Sequence, residues 1–315
     1  MKNIYSITDL DEHDFIIKWR MTDMCNANCS YCIRKKNRKE IDADFLKNQN
    51  SKLCETAAGI SRLVEKTDFS NIKIDMVGGE VSVLDLPEIT RNLTSGKIKQ
   101  INITTNFLRN TEYYENFCGT LHSRGIKATA VASFHYEFIS FDKYFEKAER
   151  LKDCFDVFSL EIVSNERNQP LCRCFVEKCK AMGIDYSCEA DLRLSKTETR
   201  EKGLLVESRK QKKKPRYRVC FSDGSSKIYT ARNQLLTDSE INENRWRQAM
   251  HTKDFICTNS HDFIYIDFDT VVGRTQSGDS CINRIPLEEF SIVEPRPCPF
   301  QNCTLCGHMS IYKKS

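Results

Sequence analysis

The sequence predicts an α/β protein with a parallel sheet, either an open doubly wound sheet or a partial barrel, followed by a small C-terminal α+β module built on a β-hairpin. Two observations predict it. Segments with strand periodicity alternate with segments of helix length as far as about residue 194, and beyond that point short alternating runs with turn signals replace them. A chain of 315 residues has room for one domain of about 200 residues and a smaller one.

Phe15–Arg20 reads as the first strand of this series and Ala43–Lys66 as an amphipathic helix. Strands follow at Asn71–Val77, Gln100–Thr105, Lys127–Phe134, Asp156–Val163 and Asp185–Leu192. Helices fall between them at Leu86–Leu93, Thr111–Ser123, Phe141–Leu151 and Gln169–Met182. Helix-length connections between strands imply β-α-β crossovers, and the loops after the strands' C-terminal ends then form the functional face.

Residues 195–218 read as a basic connector between a first domain, 1–194, and a second, 219–315. From Lys196 to Arg218 there are ten Lys or Arg against three Glu, whereas the rest of the chain is slightly acidic and the total is only +4. The later module carries short strands near Val219–Thr230 and Phe263–Arg274, with turn signals at Ser222-Asp223-Gly224-Ser225 and Asp267-Phe268-Asp269.

Composition excludes several classes. Hydrophobic residues at 40% and charged residues at 29% are those of a globular chain rather than a disordered one. No apolar run approaches a membrane span, and the N-terminus lacks a signal-peptide pattern, so a cytoplasmic address with no membrane partner is expected. Sixteen cysteines without an export signal point to metal or redox chemistry rather than disulfides.

Cys25, Cys29 and Cys32 stand at Cys-x3-Cys-x2-Cys spacing in the loop after the first strand. Three thiolates supply three corners of an iron-sulfur cube and leave one iron open to a small molecule. Structural zinc prefers a fourth protein ligand, and none follows nearby. The next strand ends in Gly78-Gly79-Glu80, where small residues permit close backbone approach.

Together, Cys-Asn-Ala-Asn-Cys-Ser-Tyr-Cys and Met76-Val77-Gly78-Gly79-Glu80 resemble the radical S-adenosylmethionine (radical SAM) superfamily over about residues 14 to 192. The resemblance implies a partial (β/α)6 barrel holding a SAM-binding 4Fe-4S cluster. It places Tyr31 against the adenine of S-adenosyl-L-methionine and Gly78, Gly79 and Glu80 at its amino group. Thr105, Asn106 and Ser133 resemble positions that contact the ribose or the carboxylate. It implies reductive cleavage to methionine and a 5'-deoxyadenosyl radical, with a flavodoxin- or ferredoxin-type electron donor.

Four further cysteines, Cys257, Cys281, Cys303 and Cys306, resemble the ligand set of a twitch or SPASM extension holding an auxiliary 4Fe-4S cluster, and the single hairpin with one Cys-x2-Cys favours twitch. Cys298 is a fifth candidate, and the glycines before Cys281 do not match the SPASM spacing. A four-cysteine zinc ribbon is the structural alternative. Cys220 reads as a buried residue, and Cys172, Cys174 and Cys179 as incidental to their helix.

His135, just past the fourth strand, is placed to meet substrate or cofactor. Glu161, Glu189 and Asp191 sit on late strands, where a carboxylate can take the proton released as a substrate radical is oxidised. The resemblance implies a peptide or a small metabolite such as a sugar as substrate. About 14 residues precede the first strand, so no separate leader-peptide-binding domain is expected. The alternatives are an RNA-modifying radical SAM enzyme using the basic connector, with no aromatic interleaving to strengthen it, and a non-catalytic iron-sulfur or zinc module.

Overall fold

The computed structural model describes residues 13, 15–32, 41–191, 193–194, 196–209, 263–272 and 285–292, with the backbones of strands at 4–9, 216–221, 226–230, 255–257, 296–297 and 311–313. The chain divides into two compact units. One comprises residues 1–18, 63–73 and 212–315, and the other 19–62 and 74–211.

The elements begin with β1 (Ile4–Asp9), β2 (Phe15–Thr22), α1 (Ala43–Glu65), β3 (Ile72–Gly78), α2 (Leu86–Arg91) and β4 (Ile98–Thr105). They continue through α3 (Thr111–His122), β5 (Lys127–Ser133), α4 (Phe141–Leu151), β6 (Val157–Ser164), α5 (Gln169–Met182) and β7 (Asp185–Ala190). Next come α6 (Lys196–Glu201) and β8 (Glu207–Arg209). Strands β2 to β8 neighbour one another in sequence order, and β4, β5, β6 and β7 pair in parallel. A doubly wound sheet reverses strand order at a switch point, and the run from β2 to β8 does not. Unbroken order is that of a barrel segment, which resolves the ambiguity left by periodicity.

Strand register divides the sheet into two faces. Ala132, Leu160 and Tyr186 lie side by side, all buried, on a face with Ile101, Ile103 and Phe158. Helices α3 and α5 pack against these strands. The alternate residues Ser133, Glu161 and Ser187 form the matching row on the other face, which is polar and less buried. Period-2 patterning therefore sends one row into the core and sets the other on the polar face.

Residues 196–209, within the segment read from sequence as a connector, contain α6 and β8. Strand β8 runs antiparallel to β7 with Ser187 opposite Ser208, covering an edge that would otherwise expose unpaired backbone groups.

The other unit contains β9 (Arg216–Phe221), β10 (Ser226–Thr230), β11 (Phe255–Cys257), β12 (Phe263–Ile266), β13 (Val271–Val272), β14 (Ile285–Pro286), β15 (Arg296–Pro297) and β16 (Ile311–Lys313). The order β1-β9-β10 makes one antiparallel sheet and β15-β11-β16 another. The sequence reading places no strand before Phe15, yet β1 pairs with β9. Its residues carry no helix-strand alternation of their own and take their partner from more than 200 positions away. Strands β12, β13 and β14 form a meander, with Thr270 at φ 67 in its first turn.

Candidate functional site

The loop carrying Cys25, Cys29 and Cys32 leaves the end of β2 and is fastened by the ends of four other strands. The first fastening is backbone to backbone. Beyond β3, the Gly79 and Glu80 amides donate to the carbonyls of Thr22 and Met24, both at 2.7 Å. A β-carbon on Gly78 would lie 2.5 Å from the Thr22 carbonyl oxygen, and one on Gly79 2.3 Å from that of Met24. Only glycine allows this approach, so the loop's own backbone demands both residues.

Glu80 is 1% exposed and joins β3 to β4. Its carboxylate accepts from the Ser82 amide at 2.8 Å, from the Thr105 hydroxyl at 2.6 Å and from the Asn106 amide. Burial pushes the Glu80 carboxyl above its ordinary pKa, while the hydrogen bonds from Ser82, Thr105 and Asn106 pull it down. Thr105 meets the Tyr114 hydroxyl at 3.1 Å as well.

Past β4 the chain turns through Phe107, a bulky residue held at φ 60. Non-glycine residues seldom adopt this conformation. Its ring is fully buried beside Tyr114, Tyr144 and Phe158, and Lys147 donates to its carbonyl at 3.0 Å. The turn presents Asn106 to the cysteine loop, where its side-chain amide donates to Asn26 at 2.7 Å and lies 3.8 Å from the Cys25 sulfur.

Beyond β5, His135 Nδ1 lies 3.0 Å from both the Cys29 sulfur and the Tyr31 hydroxyl. The Tyr31 ring is buried and stacks on the rings of His135 and Tyr136. Glu137 accepts from the Ser30 amide at 2.8 Å and from its hydroxyl at 2.5 Å. After β7, the Arg193 guanidinium donates to both carboxylate oxygens of buried Asp191, and to the Ser30 carbonyl at 3.3 Å.

Burial pushes the Cys29 thiol up to about 12, with smaller contributions from Cys25 and Cys32, and pulls His135 down to about 4. Loading Cys29 with a metal must therefore release a proton. Among the described residues no three His, Cys, Asp or Glu side chains converge as they would on a single ion. Three thiols on one short loop are the donor set that three corners of an iron-sulfur cube take.

The remaining sequence-predicted residues take separate places. Ser133 and Glu161 are register partners on the polar face, both partly exposed, and Glu189, opposite Val163, is exposed on that face and accepts from Ser187 at 2.7 Å. Asp191 does not point from a strand but anchors Arg193. Cys281, Cys298, Cys303 and Cys306 lie outside the described residues, and Cys257 and Cys220 are described only by the backbones of β11 and β9.

Asn26, Phe107, Glu137 and Arg193 escape sequence reasoning. Asn26 had a signal, since it lies inside the cysteine motif. Glu137 and Arg193 act on Ser30 from more than 100 positions away, and Phe107 acts through a turn that its residue type does not announce.

No protein-family model matches the sequence, and no curated protein does. Solved structures do. A match to anSMEcpe with bound AdoMet and Cp18Cys peptide has 15% identity and a TM-score of 0.40, and covers 56% of this chain and 51% of that one, about half its length. One to SuiB of Streptococcus suis bound to precursor peptide SuiA has 14% identity and a TM-score of 0.45, covering 82% and 59%. The chain is also similar to native anSMEcpe with bound AdoMet and Kp18Cys peptide, at 13% identity and a TM-score of 0.48, over 88% of this chain and 78% of that one.

Proposed function

We propose that this chain is a radical SAM enzyme acting on a peptide or a small metabolite such as a sugar. The observation that carries the reading is the fastening of the Cys25-Cys29-Cys32 loop to the ends of β3, β4, β5 and β7, the functional face of a parallel barrel segment. A loop that only filled space would not need two glycines and four side-chain tethers.

When bound, a 4Fe-4S cluster with one open iron supplies the electron that cleaves S-adenosyl-L-methionine to methionine and a 5'-deoxyadenosyl radical. Cys25, Cys29 and Cys32 are the ligands, and a flavodoxin- or ferredoxin-type protein is the electron donor. The chain's residues position and exclude. Glu80 and Thr105 fix the ends of β3 and β4 beside the loop, and the Tyr31, His135 and Tyr136 rings wall one side of it.

On the polar face, Ser133 offers a hydrogen bond to S-adenosyl-L-methionine, and Glu161 or Glu189 takes up the proton freed when a substrate radical is oxidised. An auxiliary cluster on Cys257, Cys281, Cys303 and Cys306 would receive the accompanying electron. The test is a deuterium-transfer assay with labelled peptides and sugars. Label appearing in 5'-deoxyadenosine identifies the substrate, and reconstituted protein that transfers none from either class removes this substrate assignment.

A further inference from the structure

The contact between His135 and Cys29 has a chemical consequence that the fold does not require. Nδ1 lies 3.0 Å from the Cys29 sulfur and 3.0 Å from the Tyr31 hydroxyl, and that hydroxyl also hydrogen-bonds the sulfur. The three polar atoms meet between buried Cys29, buried Tyr31 and half-buried His135, whose imidazole stacks on the Tyr31 ring. When Cys29 carries a thiol, its proton can point at the Nδ1 lone pair. As a metal-bound thiolate it can only accept.

A thiolate facing a bare Nδ1 at this distance would set one lone pair against another in a poorly hydrated site, which is costly. The favourable arrangement has the proton on Nδ1 and both groups, Nδ1–H and Tyr31 O–H, donating to the sulfur. Another proposed ligand meets different donors. Cys25 receives the Ala27 amide at 3.4 Å and the Asn106 amide at 3.8 Å.

We propose that His135 and Tyr31 form a two-donor cap on the Cys29 sulfur that raises the reduction potential of the cluster it holds. This rests on the reading of Cys29 as a cluster ligand. Donors to a cluster sulfur stabilise the reduced, more negative state, so the cap makes the cluster easier to reduce. His135 is then a positioning residue acting through a ligand, and Tyr31 is assigned a second role besides any contact with adenine.

The test is a potentiometric titration of the anaerobically reconstituted full chain, followed by electron paramagnetic resonance. His135→Phe keeps a ring against Tyr31 without a donor, and His135→Asn keeps a side-chain N–H near the position of Nδ1 without the ring. The proposal expects the potential to follow the donor: a negative shift for His135→Phe, a value near wild type for His135→Asn, and a smaller negative shift for Tyr31→Phe. A purely structural role would preserve His135→Phe and damage His135→Asn, and an unmoved potential in His135→Phe overturns the cap.

Should His135→Phe retain no cluster, Tyr31→Phe decides in its place, a negative shift supporting the cap and no shift overturning it. Wild-type protein that assembles no iron-sulfur cluster overturns the radical SAM reading and the cap with it. A normal cluster with an unresponsive potential overturns the cap alone.

Discussion

A β-carbon added to Gly79 would sit 2.3 Å from the carbonyl oxygen of Met24, inside the loop that carries the three cysteines. The oxygen is a backbone atom and the β-carbon is fixed by the backbone, so neither can swing aside. Gly79→Ala should therefore force the cysteine loop away from β3 and break the hydrogen bond from Gly79 to Thr22. Overpacking of this kind costs about 1–3 kcal/mol. Thermal unfolding should show a lowered Tm, and reconstituted Gly79→Ala protein should bind less iron than wild type. Full iron content at wild-type Tm would show that the approach is not required.

Asp191 and Arg193 provide a pH dependence with a definite sign. The hydrogen bonds and charge of Arg193 hold the Asp191 carboxyl below its usual value of 3.8. A carboxyl depressed in the folded state contributes stability above the unfolded pKa and loses it as pH falls through the folded value. The stability gap between wild type and Asp191→Asn should be constant above about pH 5 and shrink as the pH drops below 3.8. Chemical denaturation at stepped pH measures it, and a gap that widens in acid would refute the assignment.

Phe107 combines a left-handed backbone with a fully buried ring. Phe107→Ala keeps the unfavourable backbone and deletes the packing against Tyr114, Tyr144 and Phe158, at a cost of about 3–5 kcal/mol. Because Phe107 follows Asn106 directly, the variant should also loosen the tether to Asn26. Denaturant titration reads the first effect and the rate of iron loss from reconstituted protein reads the second.

Much of this was legible because it is local. Val157–Ser164 reads Val-Phe-Ser-Leu-Glu-Ile-Val-Ser, and its alternation gave both the strand and the face on which Glu161 falls. The cysteine spacing lies within eight residues of one loop. The glycines after β3 were legible as a close approach, but what approaches them, the backbone of Thr22 to Met24, appears only in three dimensions.

Residues that work over long separations were not legible. Arg193 reaches Ser30 across 163 positions, and Glu137 reaches the same residue across 107. An arginine near a strand end is ordinary in any sequence. The left-handed turn at Phe107 is likewise unmarked, since phenylalanine is a poor choice for that conformation and only the surrounding aromatic core holds it there. Strand order decided between barrel segment and doubly wound sheet for the same reason, because periodicity does not report neighbours.

We propose that Cys25, Cys29 and Cys32 hold a cluster that cleaves S-adenosyl-L-methionine. The most direct test is formation of 5'-deoxyadenosine by anaerobically reconstituted, chemically reduced protein. Wild type should produce 5'-deoxyadenosine and methionine together, and replacement of any one of the three cysteines by Ala should abolish both. Well-reconstituted wild-type protein that yields no 5'-deoxyadenosine, or a Cys29→Ala variant that matches wild type, would contradict the account.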